Sequence, residues 1–235
     1  MNQSFNKTIE QHNIFFTGEH ASDNVKRIVT PGQQKLIYLF RLGSFGKSFQ
    51  LGEGRKALDA GCGSGYNLVT LHLLGWDTYG FDISDALVAN AEQNVKKYHS
   101  QAIIKKGTNQ SIPFKENEFS MLLSMNSIHY AESEMEVCRA MEEFARVLKP
   151  GGRIYLTTTH PSNWIFEDAS ETTEQFVHIN QPGDYRHGMS MLRLKDESEL
   201  YKLAEPFFNE IKIGIDQTEL FVKTIKSYAM TGIRK

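Results

Sequence analysis

The sequence predicts an α/β fold: a mostly parallel, seven-stranded sheet with helices on both faces and an antiparallel last strand. Three observations predict it. Strand-like and helix-like segments alternate from Lys56 to His160, the pattern of a parallel sheet covered on both sides. A glycine-rich turn, "DAGCGSG", joins the first strand to the first helix of that series. The last two strands, "NEIKIGID" and "TIKSYAMTGIR", are separated by too few residues for a helical crossover, so they pair antiparallel.

The elements follow in order. Residues 1–50 carry weak helical patterning, best in "PGQQKLIYLFRL", where Pro31 suits a first helical turn. "KALDAG" reads as a buried strand and "YNLVTLHLLGW" as a helix ending near Gly75. "DTYGFDIS" is a second strand, followed by a helix capped by Ser84 or Asp85. "AIIKKGT" and "FSMLLSMN" are the third and fourth strands. "ESEMEVCRAMEEFARVLKPGG" is a long helix stopped by Pro150 and its glycine pair, and "RIYLTTTH" is the fifth strand. Residues 161–195 hold no long helix; "DESELYKLAEPF" is the last one. The 235 residues read as one domain, divided into an N-terminal helical part (1–50), a core (51–160), an insertion (161–195) and a C-terminal helix with two strands (196–235).

Composition excludes several classes. With 40% hydrophobic and 23% charged residues the chain is an ordinary globular one, and its formal net charge of -2 supplies no global field for nucleic acid or anionic lipid. Two cysteines, Cys62 and Cys138, make no disulfide framework. The polar N-terminus lacks a signal-peptide core, and no run reaches the ~20 apolar residues of a membrane span. The expectation is a cytoplasmic protein with neither nucleic-acid nor membrane partner. Nothing in the pattern specifies an oligomeric state.

The chemistry concentrates at the strand ends. Asp59, Gly61, Gly63 and Gly65 spell D-x-G-x-G-x-G, a turn whose glycines allow positive φ or close approach of a ligand to backbone. The dinucleotide fingerprint needs a glycine where Tyr66 stands, which tilts the loop away from pyrophosphate. Asp82 ends the second strand about twenty residues on, placed to accept from both hydroxyls of a ribose. The same carboxylate would otherwise cap the next helix. Loop and carboxylate together indicate a cofactor containing a nucleoside.

Here the chain resembles the class I S-adenosylmethionine-dependent methyltransferases. Over roughly residues 56–160, "LDAGCGSG", "GFDIS", "GTNQSIPFKENEFSMLLSMNSIHY" and "RVLKPGGRIYL" stand in the family's order and spacing. The resemblance implies a Rossmann-like sheet whose seventh strand is inserted antiparallel. It implies S-adenosylmethionine as cofactor, with S-adenosylhomocysteine as product. Gly61 and Gly63 would pass close to the methionine part, Asp82 would hold the ribose, and the backbone of Met125 would meet the amino-acid end, with Asp59, Cys62 and Ile83 also among the cofactor-binding residues. Thr108, Asn109 and Gln110 would flank the adenine, although Thr108-Asn109 replaces the family's usual Asp-Ala and so lacks its carboxylate. Family members often close this site with an N-terminal helix, which makes Phe15, Phe16 and Tyr38 lid candidates.

Methyl transfer from a sulfonium depends mainly on alignment and exclusion of water. An amine or hydroxyl acceptor also gives up a proton, a task that suits histidine. His129 and His160, both at strand ends, are the candidate bases, with loop ordering as the alternative role of each. Tyr130 adjoins the first. The segment 161–195 is expected to set acceptor specificity through Trp164, Tyr185 and Arg186, with "EQFVHIN", "QPGD" and "YRHGMSMLRL" forming a hairpin. Alternatively its aromatics form a satellite core. No histidines show metal-ligand spacing, so no metal is expected. A chain with little beyond the core and no basic module points to a small-molecule methyl acceptor. The alternatives are an RNA or protein methyltransferase and a non-catalytic cofactor-binding regulator.

Overall fold

The structure, a computed structural model, describes residues 30–173, 175–220 and 223–235; Phe15 and Phe16 lie outside the described residues. Strands β1 (Lys56–Ala60), β2 (Asp77–Asp82), β3 (Ile103–Lys106), β4 (Phe119–Met125) and β5 (Leu148–Thr159) follow the predicted alternation. A short three-stranded sheet follows, made of β6 (Ser170–Glu171), β7 (Phe176–His178) and β8 (Ser190–Leu192). The chain ends in β9 (Phe208–Leu220) and β10 (Lys223–Arg234). The main sheet has seven strands in the order β3-β2-β1-β4-β5-β10-β9. Its last two strands pair antiparallel, and β10 is also antiparallel to β5, as predicted.

The chain divides into two compact units, residues up to Ala57 with Cys62–Lys105, and Leu58–Gly61 with Lys106–Lys235. In the first, helix α1 (Pro31–Arg41) begins with the anticipated proline. Thr30 accepts from the Gln33 amide while the Gln33 side chain accepts from the Thr30 amide, a reciprocal cap. Gln33 is fully buried, and its Nε2 donates to the Tyr66 carbonyl at 3.1 Å. That bond ties α1 to the first residue of α2 (Tyr66–Leu73). Ser84, by accepting from Leu87, caps α3 (Asp85–Lys97). Phe40 and Trp76 are packed with ring centroids 5.9 Å apart, and the Arg55 guanidinium lies 4.9 Å from the Trp76 ring centre. Burying side chains of this size contributes roughly 1.5–3 kcal/mol each.

In the second unit, α4 (Glu134–Val147) buries Val137, Ala140, Met141, Phe144 and Val147, an i, i+3, i+4 stripe. The helix ends earlier than its sequence suggests, at Val147. Leu148 already pairs with Phe119, so the Lys-Pro-Gly-Gly run belongs to β5 and not to the helix end. The short helix α5 (Glu197–Ala204) is capped by Asp196. Within the insertion, Ile165, Phe166, Val177, Ile179 and Met191 form a small buried core with Trp164 against it. The satellite-core reading therefore holds for Phe166 and Met191. Phe176 is buried as well. The predicted hairpin forms as β7 and β8, with His178 opposite Ser190. Among the described residues no helix is long and apolar enough to cross a membrane.

Candidate functional site

The glycine turn starts where β1 ends, with Asp59 buried just before it. Gly61 and Gly63 have φ of +70° and +51°, the left-handed region where other residues are strained. At Gly61 a Cβ would lie 2.2 Å from the Ser127 Oγ, so close packing demands glycine there. At Gly63 a Cβ would meet nothing within 4 Å, which leaves its backbone open to approach. The Gly63 amide donates to Asp82 Oδ2 at 2.7 Å, and the Ile83 amide donates to Oδ1 at 2.7 Å. Because a carboxylate offers about four lone-pair sites, both oxygens retain acceptor capacity. Asp82 is not the cap of α3, since Ser84 has that role. From α3, Asn94 Nδ2 donates to the Ser64 carbonyl at 3.0 Å and braces the turn from behind. Ile83 is 64% exposed, so its contribution to the turn is its amide.

Cys62, expected among the cofactor contacts, packs its side chain into an apolar cluster with Leu68, Val69, Ala91 and Val95. Its amide and carbonyl are engaged by the Phe81 carbonyl and the Gly65 amide. Cys62 thus stitches the turn together through its backbone while its side chain packs into the apolar cluster.

In the second unit, Thr108 and Ser111 exchange backbone hydrogen bonds, making the tight turn that holds Asn109 and Gln110. Asn109 Nδ2 donates to the Ser127 Oγ at 2.9 Å. Its Oδ1 is buried and has no hydrogen-bond partner among the described residues. The following loop is clamped from α4. Glu143 accepts from the Ile112 amide at 2.8 Å, while Arg146 donates to the carbonyls of Ile112 and Phe114 and to Glu143. Met125 pairs with Thr157 across β4 and β5. Just after it, Asn126 adopts φ +55° and its amide donates to the Thr157 carbonyl at 3.1 Å.

The surroundings of the two candidate bases, His129 and His160, favour the loop-ordering alternative for each. His129 is 2% exposed, with Nδ1 3.2 Å from the Thr159 Oγ1. Burial, together with the Arg186 charge, lowers its pKa from 6.5 to about 3. At neutral pH it is an uncharged and very weak base. The Nδ1 of His160 accepts from the Ser162 amide at 3.0 Å, so the neutral ring carries its proton on Nε2. It presents a donor, and burial lowers its pKa as well. Both histidines order loops: His129 lies 4.5 Å from the Tyr130 ring, and His160 lies 4.6 Å from the Tyr228 ring.

The structure does bring Tyr130, Tyr185, Arg186 and Trp164 into one neighbourhood. The hydroxyls of Tyr130 and Tyr185 lie 2.7 Å apart, joining the turn after β4 to the insertion. Burial and the Tyr185 hydroxyl push the Tyr130 phenol above its ordinary value. Arg186 is held by Asp184 through two bonds, 2.8 and 2.9 Å, and its guanidinium lies 5.8 Å from the Trp164 ring. Sequence reading missed Ser127, Glu143, Asp184 and Lys223. Only Glu143 left a signal, an acidic residue three before Arg146 on a helix.

A family model described as a methyltransferase domain matches residues 58–156. An uncharacterised methyltransferase of Synechocystis is 32% identical over 121 residues, covering 51% of this chain and 55% of that protein. The demethylmenaquinone methyltransferase of Staphylococcus carnosus is 28% identical over 171 residues, covering 71% and 67%. This chain thus spans about half to two thirds of the length of these relatives. A solved S-adenosylmethionine-dependent methyltransferase from Methanosarcina mazei superposes with a TM-score of 0.65 at 23% identity, covering 78% of this chain and 94% of that one, a likeness of fold.

Proposed function

Since the chain belongs to the class I S-adenosylmethionine-dependent methyltransferase family, we propose that it transfers a methyl group to a small-molecule acceptor. The observation that carries this reading is the glycine turn closed onto Asp82, with open backbone at Gly63. The residues present suit the cofactor. In the first unit Asp82 retains lone pairs that suit ribose hydroxyls; in the second, taken by itself, the buried, unpartnered Oδ1 of Asn109 is an acceptor that suits an amino group such as that of adenine. Asn109 thereby replaces the carboxylate usual at this turn. When bound, S-adenosylmethionine supplies a methyl group activated by its sulfonium.

The chain's own contribution is alignment. His129, buried and neutral, packs against Tyr130, and the phenol of Tyr130 stays protonated at neutral pH. With His129 buried and its pKa lowered to about 3, and His160 presenting a donor, an acceptor that is already nucleophilic suits this reading best. The small-molecule reading is supported by the name of the Staphylococcus relative, a methyltransferase of demethylmenaquinone, and by the absence of net positive charge.

Titration calorimetry with S-adenosylhomocysteine and with NAD tests the donor; tighter binding of NAD sinks it. Labelled S-adenosylmethionine incubated with a metabolite extract or with total RNA tests the acceptor. Label in RNA alone refutes a small-molecule substrate. Bound donor with no label in either fraction favours the regulatory alternative.

A further inference from the structure

The carboxyl ends of strands in an α/β sheet are where ligands bind, and three segments converge on the carboxyl ends of β4 and β5. The turn after β4 supplies Tyr130, and the insertion supplies Tyr185 and Arg186. The third is β10. It runs antiparallel to β5 with Ser227 opposite Thr159, so its first residue, Lys223, lies beyond that carboxyl end. The Lys226 carbonyl accepts from the His160 amide and from Asn163 Nδ2, which fixes the start of β10 against this edge. The Lys223 Nζ sits 3.6 Å from the Trp164 ring centre.

The donors here outnumber the acceptors. Asp184 is committed to Arg186 through the Nε and one terminal nitrogen, and the other terminal nitrogen has no partner among the described residues. No carboxylate lies within ion-pair distance of Lys223 among the described residues. Of the two phenolic protons, one serves the Tyr130–Tyr185 bond and the other is free to point outward. Two cations against one carboxylate leave one net positive charge. Arg186 and Lys223 both favour the ionised form of Asp184, whose pKa falls to about 2, the bond from Arg186 being the larger cause.

We propose that Lys223, Arg186 and the Tyr130–Tyr185 pair form a recognition site for an anionic oxygen group, a carboxylate or phosphate, on the methyl acceptor. The inference rests on the methyltransferase reading for what the ligand is, and on this geometry alone for its charge. Arg186 is pre-oriented by Asp184, so little rotamer freedom is lost when it binds. Lys223, resting on the face of Trp164, supplies the adjustable point charge.

The test is ligand-observed NMR titration of the protein, with and without S-adenosylhomocysteine, using benzoate, phenyl phosphate, benzamide and benzylamine. Benzoate or phenyl phosphate is expected to bind at least about tenfold more tightly than benzamide, with benzylamine weakest; which anion leads separates the two sources. Lys223→Gln and Arg186→Gln each abolish that preference, whereas Lys115→Gln, at an exposed site, leaves it intact. S-adenosylhomocysteine affinity is unchanged in Lys223→Gln. Equal binding of neutral and anionic probes overturns the proposal, as does no anion binding, or a preference that persists in Lys223→Gln. Failure of S-adenosylhomocysteine to bind would instead overturn the donor reading, with the charge preference still measured on the unliganded protein.

Discussion

The Gly63 amide and the Asp82 carboxylate meet at 2.7 Å, so the glycine turn and the end of β2 are one hydrogen-bonded unit. The residue expected to hold a ribose also shapes the turn expected to hold the rest of the cofactor. Removing Asp82 therefore does two things: it deletes a ligand acceptor and strands the amides of Gly63 and Ile83.

Asp82→Ala is expected to weaken S-adenosylhomocysteine binding by at least about tenfold, since each stranded donor costs about 1–3 kcal/mol. Calorimetry on the folded variant reads it. An unchanged dissociation constant removes Asp82 from the site.

Gly61 and Gly63 separate two demands on glycine. Gly61→Ala meets the Ser127 side chain as well as a left-handed backbone and is expected to cost about 1–3 kcal/mol beyond the backbone term. Gly63→Ala meets only the backbone term, about 1–2 kcal/mol. In urea unfolding, Ser127→Gly should recover part of the Gly61→Ala loss and none of the Gly63→Ala loss. Equal recovery in both backgrounds would refute the packing argument.

Glu143 anchors the loop after Asn109. Burial disfavours its charge, but bonds from Arg146 and the Ile112 amide outweigh this and leave its pKa lowered. The stability it contributes is therefore present above its unfolded value of 4.5 and is lost as pH falls through the lower folded value. Glu143→Ala is expected to cost roughly 2–3 kcal/mol at neutral pH and to weaken cofactor binding, with Glu143→Gln milder in both. A destabilised variant with unchanged S-adenosylhomocysteine affinity would uncouple the loop from the site.

His129 gives the opposite pH signature to a histidine that gains a partner. The unfolded chain takes up a proton near 6.5, whereas the folded protein does so only near 3. Stability therefore falls as pH drops through that window, by up to about 1.4 kcal/mol per pH unit. Between about pH 7 and pH 5 this amounts to about 2 kcal/mol. His129→Gln should flatten that limb in urea titrations at the two pH values. Identical slopes in variant and wild type would show that His129 is not the group responsible.

Much of the fold was legible because its signals are local. The alternation from Lys56 onward, the proline at the start of α1 and the cap at Ser84 all depend on residues a few positions apart. The misreading of "LKPGG" as a helix end is instructive. Pro150 does bar a helix, but whether the freed chain is loop or strand depends on Phe119, which pairs with Leu148 from 29 positions away in the chain.

The sequence by itself determined the order of strands and helices, the glycine turn with Asp82 after it, and the class of cofactor those residues suit. Turn chemistry and periodicity are properties of neighbouring residues, and they are written in the chain. Only the tertiary structure decided that His129 is buried beside Thr159 and Tyr130. It also decided that Cys62 faces an apolar cluster, and that Lys223 joins Arg186 beside the Tyr130–Tyr185 pair. Protonation and charge recognition depend on burial and on partners far away in sequence, and folding alone brings those together.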